Sequence, residues 1–297
     1  MSNGHTGCDI GRRIVCLITA GRRKLLGEPD KRSRGASQSR GALLFVHWPP
    51  LPTSTPGRID LNADVGESFG AYAIGHDPGL MKSITSANIA AGFHAGDPSV
   101  LRATIRRAKQ HGVAVGAHPS FPDLAGFGRR EMKMSPHEVE DLVLYQIAAV
   151  AGVAHVEGVP LQHVKPHGAL YNMAARDAAL SAAIARAVAA FSPSLILLGL
   201  PGSELLKAGK AAGLRVAREL FADRAYEPDG SLMSRKKPGA VIHDVATVVA
   251  TAVKMAKDGA GETICIHGDT PGADELAAEI RAALEAAGIS VRPLGSA

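Results

Sequence analysis

The chain has 297 residues, of which 46% are hydrophobic and only 4% aromatic. That suits one large α/β domain or two ordinary ones, with cores of Ala, Val, Leu and Ile. The net charge of +5 is concentrated at the N-terminus: residues 1–57 hold nine Lys/Arg against three Asp/Glu, while from Arg58 onward 24 basic residues face 25 acidic ones. Charge therefore gives no ground for nucleic-acid binding.

The first 57 residues combine Arg12, Arg13, Arg22, Arg23 and Lys24 with a Ser/Gly-rich patch and then Pro49-Pro50-Leu51-Pro52. This composition predicts a basic, largely disordered leader. An organellar transit peptide and a translation start set too far upstream both account for it. The order of charge, apolar core and cleavage site of a secretory signal is missing. No window reaches the roughly 18 apolar residues of a membrane helix, so no membrane partner is expected. Three cysteines, two of them (Cys8 and Cys16) in the leader, make no disulfide framework and point to a reducing cytoplasm.

From Arg58 to the end, β-like and helical runs alternate. Strands are predicted around 58–63, 85–91, 113–117, 162–166, 195–199, 214–218 and 263–266, and helices at about 98–111, 136–156, 176–190, 203–212, 243–257 and 272–287. This alternation predicts a parallel sheet covered by helices. Some seven strands, with no Gly-x-Gly-x-x-Gly after the first, favour a β/α barrel over an open dinucleotide-binding sheet.

In the first strand Ile59, Leu61 and Ala63 share one face, and Asp60, Asn62 and Asp64 the other, because successive side chains alternate. The second strand ends in Gly92-Phe93-His94-Ala95-Gly96-Asp97-Pro98, where Asp97 is placed to cap a helix beginning at Pro98. Gly112 stands where that helix would stop. His118 follows the third strand. Ser135-Pro136-His137-Glu138 reads as a capping box. His163, Lys165 and His167 share a face of the fourth strand, and Cys265, His267 and Asp269 repeat the pattern in the last. Helices cover the outer face of a parallel barrel, so these polar rows must point inward or to the C-terminal rim. Unpaired buried charges cost several kcal/mol each, so the rows imply one convergent polar cavity.

Two long loops add basic residues. The first, Pro119 to Met134, carries Asp123, Arg129 and Arg130, and the second, Asp223 to Gly239, carries Asp223, Arg224, Tyr226, Arg235, Lys236 and Lys237. Loops of this length are commonly functional, and the planar arginine fork suits a carboxylate or phosphate.

Asp60-Leu61-Asn62-Ala63-Asp64-Val65-Gly66-Glu67-Ser68-Phe69-Gly70, the Gly92–Pro98 turn, Gly116-Ala117-His118-Pro119-Ser120, Gly126-Phe127-Gly128-Arg129-Arg130, the His163–Asn172 stretch, Phe221-Ala222-Asp223-Arg224-Ala225-Tyr226 and His267-Gly268-Asp269 together resemble the LamB/YcsF lactam-utilisation family. The resemblance runs from Arg58 to the C-terminus. It implies a β/α barrel of the glycoside hydrolase/deacetylase type. It also implies a hydrolase role as the A subunit of an ATP-dependent 5-oxoprolinase, acting with subunits B and C to open 5-oxo-L-proline to L-glutamate. Ala91 departs from the family pattern, which has Cys before Gly-Phe-His, and the leader has no counterpart in it.

Under that implication ATP phosphorylates the lactam oxygen and water attacks the activated carbon. Asp60 or Asp64 is the expected base, His94 or His167 positions water, and Lys165 stabilises negative charge. Asn62, His118, Arg129, Arg130, Asp223, Arg224, His267 and Asp269 are the expected substrate contacts. No Gly-x-x-x-x-Gly-Lys-Ser/Thr loop is present, so ATP binds in another way or partly on one of the partner proteins. Two alternatives remain open. One is a divalent cation on Asp60, His94 and His167 that activates water in an amidohydrolase or carbohydrate deacetylase. The other is a non-catalytic subunit that binds the lactam.

Overall fold

The computed structural model describes residues 57–295, so the leader expected over 1–57 lies, apart from Gly57, outside the described residues. Strand β1 (Arg58–Val65) shows how the sequence builds the rest. Ile59, Leu61, Ala63 and Val65 are at most 1% exposed and belong to the main apolar core. Burying each larger member stabilises the fold by roughly 1.5–3 kcal/mol. The alternate residues Asp60, Asn62 and Asp64 line the opposite, interior face, where they bond to side chains of neighbouring strands.

Six further strands follow: β2 (Ser86–Ala90), β3 (Ala114–His118), β4 (Leu161–Val164), β5 (Ile196–Gly199), β6 (Arg215–Phe221) and β7 (Thr263–Ile266). Each pairs in parallel with the next, and β1 pairs with both β2 and β7, closing a seven-stranded barrel as expected. A two-residue strand, β8 (Ser290–Val291), pairs with the first residues of β1. The helices are α1 (Asp77–Leu80), α2 (Pro98–His111), α3 (Pro136–Val156), α4 (Gly168–Ala174), α5 (Ala178–Phe191), α6 (Glu204–Ala211), α7 (Val245–Lys257) and α8 (Ala273–Ala286). The short α1 and α4 and strand β8 are absent from the sequence reading, and β6 extends three residues past its expected end at 218.

The local signals act as their chemistry dictates. Asp97 Oδ1 accepts from Ser99 N and Val100 N to start α2, and Gly112 ends it with φ 66°. Ser135 and Glu138 form the reciprocal capping box of α3. By length and composition α3 is the one helix among the described residues long and apolar enough to cross a membrane. Here it packs on β3, β4 and α5, with Val139, Val143, Ile147 and Val150 buried.

One close approach inside the barrel requires glycine. A Cβ on Gly116 of β3 would lie 2.1 Å from His163 Nε2 on the neighbouring strand. That nitrogen is 2.9 Å from Asn88 Oδ1, so the imidazole is held in place. Gly116→Ala is expected to lower stability by about 2 kcal/mol through overpacking. An unchanged urea midpoint would show that the ring has room to move away.

Candidate functional site

The interior polar residues are stacked in layers along the barrel axis. Deepest is Asp60, 1% exposed. It accepts from the hydroxyls of Thr85 (2.8 Å), Ser86 (2.6 Å) and Thr263 (2.5 Å). Burial pushes its carboxyl up to about 6, against the pull of these three bonds. One layer nearer the mouth, Asn62 Nδ2 donates to Thr263 Oγ1, and Asn88 Nδ2 bridges Asn62 Oδ1 (2.7 Å) and Asp64 Oδ1 (2.8 Å).

The third layer centres on Lys165, just past β4. Its ammonium lies 2.8 Å from Asp64 Oδ1, 2.9 Å from Glu219 Oε1 and 2.9 Å from Cys265 Sγ. It donates hydrogen bonds to Asp64 and Cys265, and its contact with Glu219 is an ion pair. Burial alone would lower its pKa, but Asp64, Cys265 and Glu219 outweigh that and hold it well above the usual lysine range. Burial alone would likewise raise Asp64, but the charges of His118 and Lys165 win and hold that carboxyl well below its usual range. Burial pushes the Cys265 thiol well up.

Over this layer, at the C-terminal ends of β1 to β4, Glu67, His94, His118 and His167 converge, all buried, with donor atoms within 4.8 Å of one another. Such a set is compatible with a divalent cation. His94 Nε2 is 3.2 Å from Glu67 Oε1, and the His94 and His167 rings stack at 3.8 Å. His118 Nδ1 donates to Lys165 O (2.7 Å) and His167 Nε2 to Phe127 O (2.8 Å), which leaves His118 Nε2 facing His167 Nδ1 at 3.0 Å. Burial, joined by neighbouring histidine charge, pushes His94 and His167 well below the usual imidazole range. Burial and the charges of Asp64 and Asp269 push Glu67 well up.

The loop after β3 closes over these rings through an unusual backbone. Phe127 is the one non-glycine residue with positive φ (54°) among the described residues. A Cβ on the following Gly128 (φ 64°) would meet Ser120 Oγ at 2.3 Å and His167 Cδ2 and His94 Cβ at 2.8 Å. Glycine at 128 thus lets the chain pass directly over the stacked histidines, and the strained Phe127 aims its carbonyl at His167.

At the rim, His267 Nδ1 pairs with Asp223 Oδ2 at 2.8 Å, beside a cavity of about 240 Å³ whose lining includes His243, Val245 and Leu276. Arg129 reaches Asp269 at 2.6 Å, with its guanidinium over the Phe127 ring.

With this geometry in view, comparison with known proteins is specific. The LamB/YcsF family profile matches residues 59–297. The chain belongs to the LamB/YcsF family. The protein called the 5-oxoprolinase A subunit in Chloroflexus aggregans is 55% identical over 246 residues, covering 79% of this chain and 98% of that protein. Its namesake in Bacillus subtilis strain 168 is 54% identical, covering 79% and 96%. The crystal structure of the lactam utilization protein from Thermus thermophilus is 50% identical and superposes with a TM-score of 0.74, covering 79% of this chain and 99% of that one.

The barrel separates the residues that the family pattern groups. Asp64, His94, Lys165 and His167 meet at the mouth with His118, and His267 with Asp223 and Arg129 with Asp269 lie on the rim above them. Asp60 and Asn62 lie below, committed to hydroxyl and amide partners. Arg130 is turned away onto Asp123 of its own loop, and Arg224 donates to Ala240 O and Met233 O. Asp60 is also absent from the donor cluster, which draws on Glu67 and His118 instead. Ala91 packs in the main apolar core.

Two acids of the buried polar cluster escape the sequence reading. Glu67 follows Gly66, whose φ of 70° breaks the strand's alternation; the usable signal was an acid just past a strand end. Glu219 lies one residue beyond the expected end of its strand, although Ala217, Glu219 and Phe221 continue the period of two.

Proposed function

We propose that this chain is the A subunit of an ATP-dependent 5-oxoprolinase, and that its barrel mouth is where 5-oxo-L-proline is opened to L-glutamate. The observation that carries this reading is the Asp64 carboxylate, 2.8 Å from the Lys165 ammonium and held beneath the imidazoles of His94, His118 and His167, in a chain 54–55% identical to proteins bearing that name. An unstrained lactam is a poor electrophile, and ATP makes it a better one. Transfer of the γ-phosphoryl group to the lactam oxygen releases ADP and leaves an O-phosphorylated, cationic or imidate-like carbon. Water then adds to that carbon, the C–N bond breaks with protonation of nitrogen, and phosphate leaves.

In this scheme Asp64 is the general base, because its neighbours keep it ionised and its Oδ2 faces His118 Nε2 at 3.4 Å. Lys165 acts as a fixed charge that holds Asp64 ionised, since its ammonium is buried and fixed by Asp64, Cys265 and Glu219. His94 and His167 place the water, and Arg129 takes the substrate carboxylate in exchange for Asp269. The chain has no Walker loop, so partner subunits B and C complete the ATP site.

The test is to combine the purified full chain with its two partner subunits and follow 5-oxoproline-dependent release of phosphate and formation of glutamate. Stoichiometric release of both is expected, and only in the complete mixture. Absence of glutamate from that mixture, with all three proteins folded, overturns the assignment.

A further inference from the structure

We propose that Glu67, His94, His118 and His167 form a binding site for one divalent transition-metal ion of the zinc class. The argument starts from two fixed tautomers. His118 gives its Nδ1 hydrogen to Lys165 O, and His167 gives its Nε2 hydrogen to Phe127 O. The remaining nitrogens, His118 Nε2 and His167 Nδ1, face each other at 3.0 Å. In neutral rings both carry lone pairs, and two lone pairs so placed repel unless a positive centre serves both. A proton can do so along the line between them. A metal can do so from the side: at ~2.1 Å from each nitrogen, a 3.0 Å separation corresponds to an angle of roughly 90° at the ion.

A second, independent observation lies on the next ring. His94 is fully buried, yet its Nδ1 has no hydrogen-bond partner, while its Nε2 sits 3.2 Å from the buried Glu67 carboxylate. Each of the four residues offers one donor atom to the same buried cluster, and these atoms lie within 4.8 Å of one another. The backbone carbonyls on His118 and His167 are the kind of outer partner that orients metal-bound imidazoles, and the Phe127 carbonyl is delivered by the strained φ of 54°.

The donor set also selects the ion. Three imidazoles and one carboxylate suit zinc, cobalt or iron in the divalent state, whereas magnesium and calcium prefer all-oxygen shells. The expected set of Asp60, His94 and His167 changes accordingly: Asp60 is bonded to three hydroxyls deep in the barrel, and Glu67 supplies the carboxylate.

The test needs no substrate and is independent of the lactam reading. The full chain, stripped with chelator and confirmed folded by circular dichroism, is titrated with Zn²⁺, Co²⁺ and Mg²⁺. One equivalent of Zn²⁺ or Co²⁺ is expected, with visible Co²⁺ absorption that reports imidazole ligation, and no comparable uptake of Mg²⁺. Glu67→Gln, His94→Asn and His118→Asn should each weaken Zn²⁺ binding at least tenfold while remaining folded. The proposal is overturned if the folded chain takes up neither Zn²⁺ nor Co²⁺. It is equally overturned if all three variants bind with unchanged affinity, which would place the ion elsewhere, or if Mg²⁺ binds as tightly as Zn²⁺.

Discussion

Lys165→Met is expected to lose turnover by about two to four orders of magnitude and to lower stability by about 3–5 kcal/mol. The cause is the same in both cases. Lys165 is the cation between two buried carboxylates, Asp64 at 2.8 Å and Glu219 at 2.9 Å. Methionine replaces its volume but not its charge, so Glu219 loses its cation and Asp64 keeps only His118, moves up toward its neutral form and is weakened as the ionised base. Denaturant melts and assays of the reconstituted enzyme separate the two effects when Glu219→Gln is added. The double variant Lys165→Met/Glu219→Gln has one carboxylate fewer to compensate, so part of the stability returns, whereas turnover stays low because Asp64 still lacks its cation. Wild-type turnover in Lys165→Met would remove Lys165 from the proposed chemistry.

The parts of this arrangement that were legible in the sequence depend on local geometry. Alternation places Asp60, Asn62 and Asp64 on one face of β1 whatever surrounds it, and Asp97-Pro98, Ser135–Glu138 and Gly112 specify helix ends through their own backbone chemistry. Depth along the barrel was not legible. Four residues of strand, about 13 Å, separate Asp60 from Asp64 as base candidates, and only the hydroxyls contributed by β2 and β7 and by Thr85 reveal Asp60 as enclosed. The adjacent Arg129 and Arg130 look alike in sequence. They part company because the short helical turn at Leu124–Gly126 brings Asp123 beneath Arg130, while Arg129 crosses the mouth to Asp269. Glu67 and Glu219 lie just outside expected strand ends, where the alternation rule was no longer applied, and both join the buried polar cluster because a barrel gathers its strand ends at one rim.

Asp60 itself should reveal its environment through pH. Its carboxyl is raised from 3.8 to about 6 in the folded chain, so between these values the folded state binds more protons than the unfolded state, and stability from this group falls as pH rises. Its contribution is fully present below pH 3.8 and is lost on passing through pH 6. The difference corresponds to about 3 kcal/mol, since a tenfold change in acidity is equivalent to ~1.36 kcal/mol. Of the three hydroxyls that donate to this carboxyl, Thr85 has Leu61 O at 3.2 Å as a second acceptor for the protonated form. Asp60→Asn imitates the neutral form, with one acceptor oxygen and an NH₂ group in place of the carboxyl oxygens. Stability curves of the wild type and Asp60→Asn, measured from about pH 4 to 7.5, should therefore diverge, the variant gaining relative to the wild type by about 3 kcal/mol at the upper end. Acid-sensitive groups shared by both proteins cancel in the difference. Parallel curves would mean that Asp60 ionises in the barrel as it does in water, and that the three hydroxyls fully offset the desolvation that raises it.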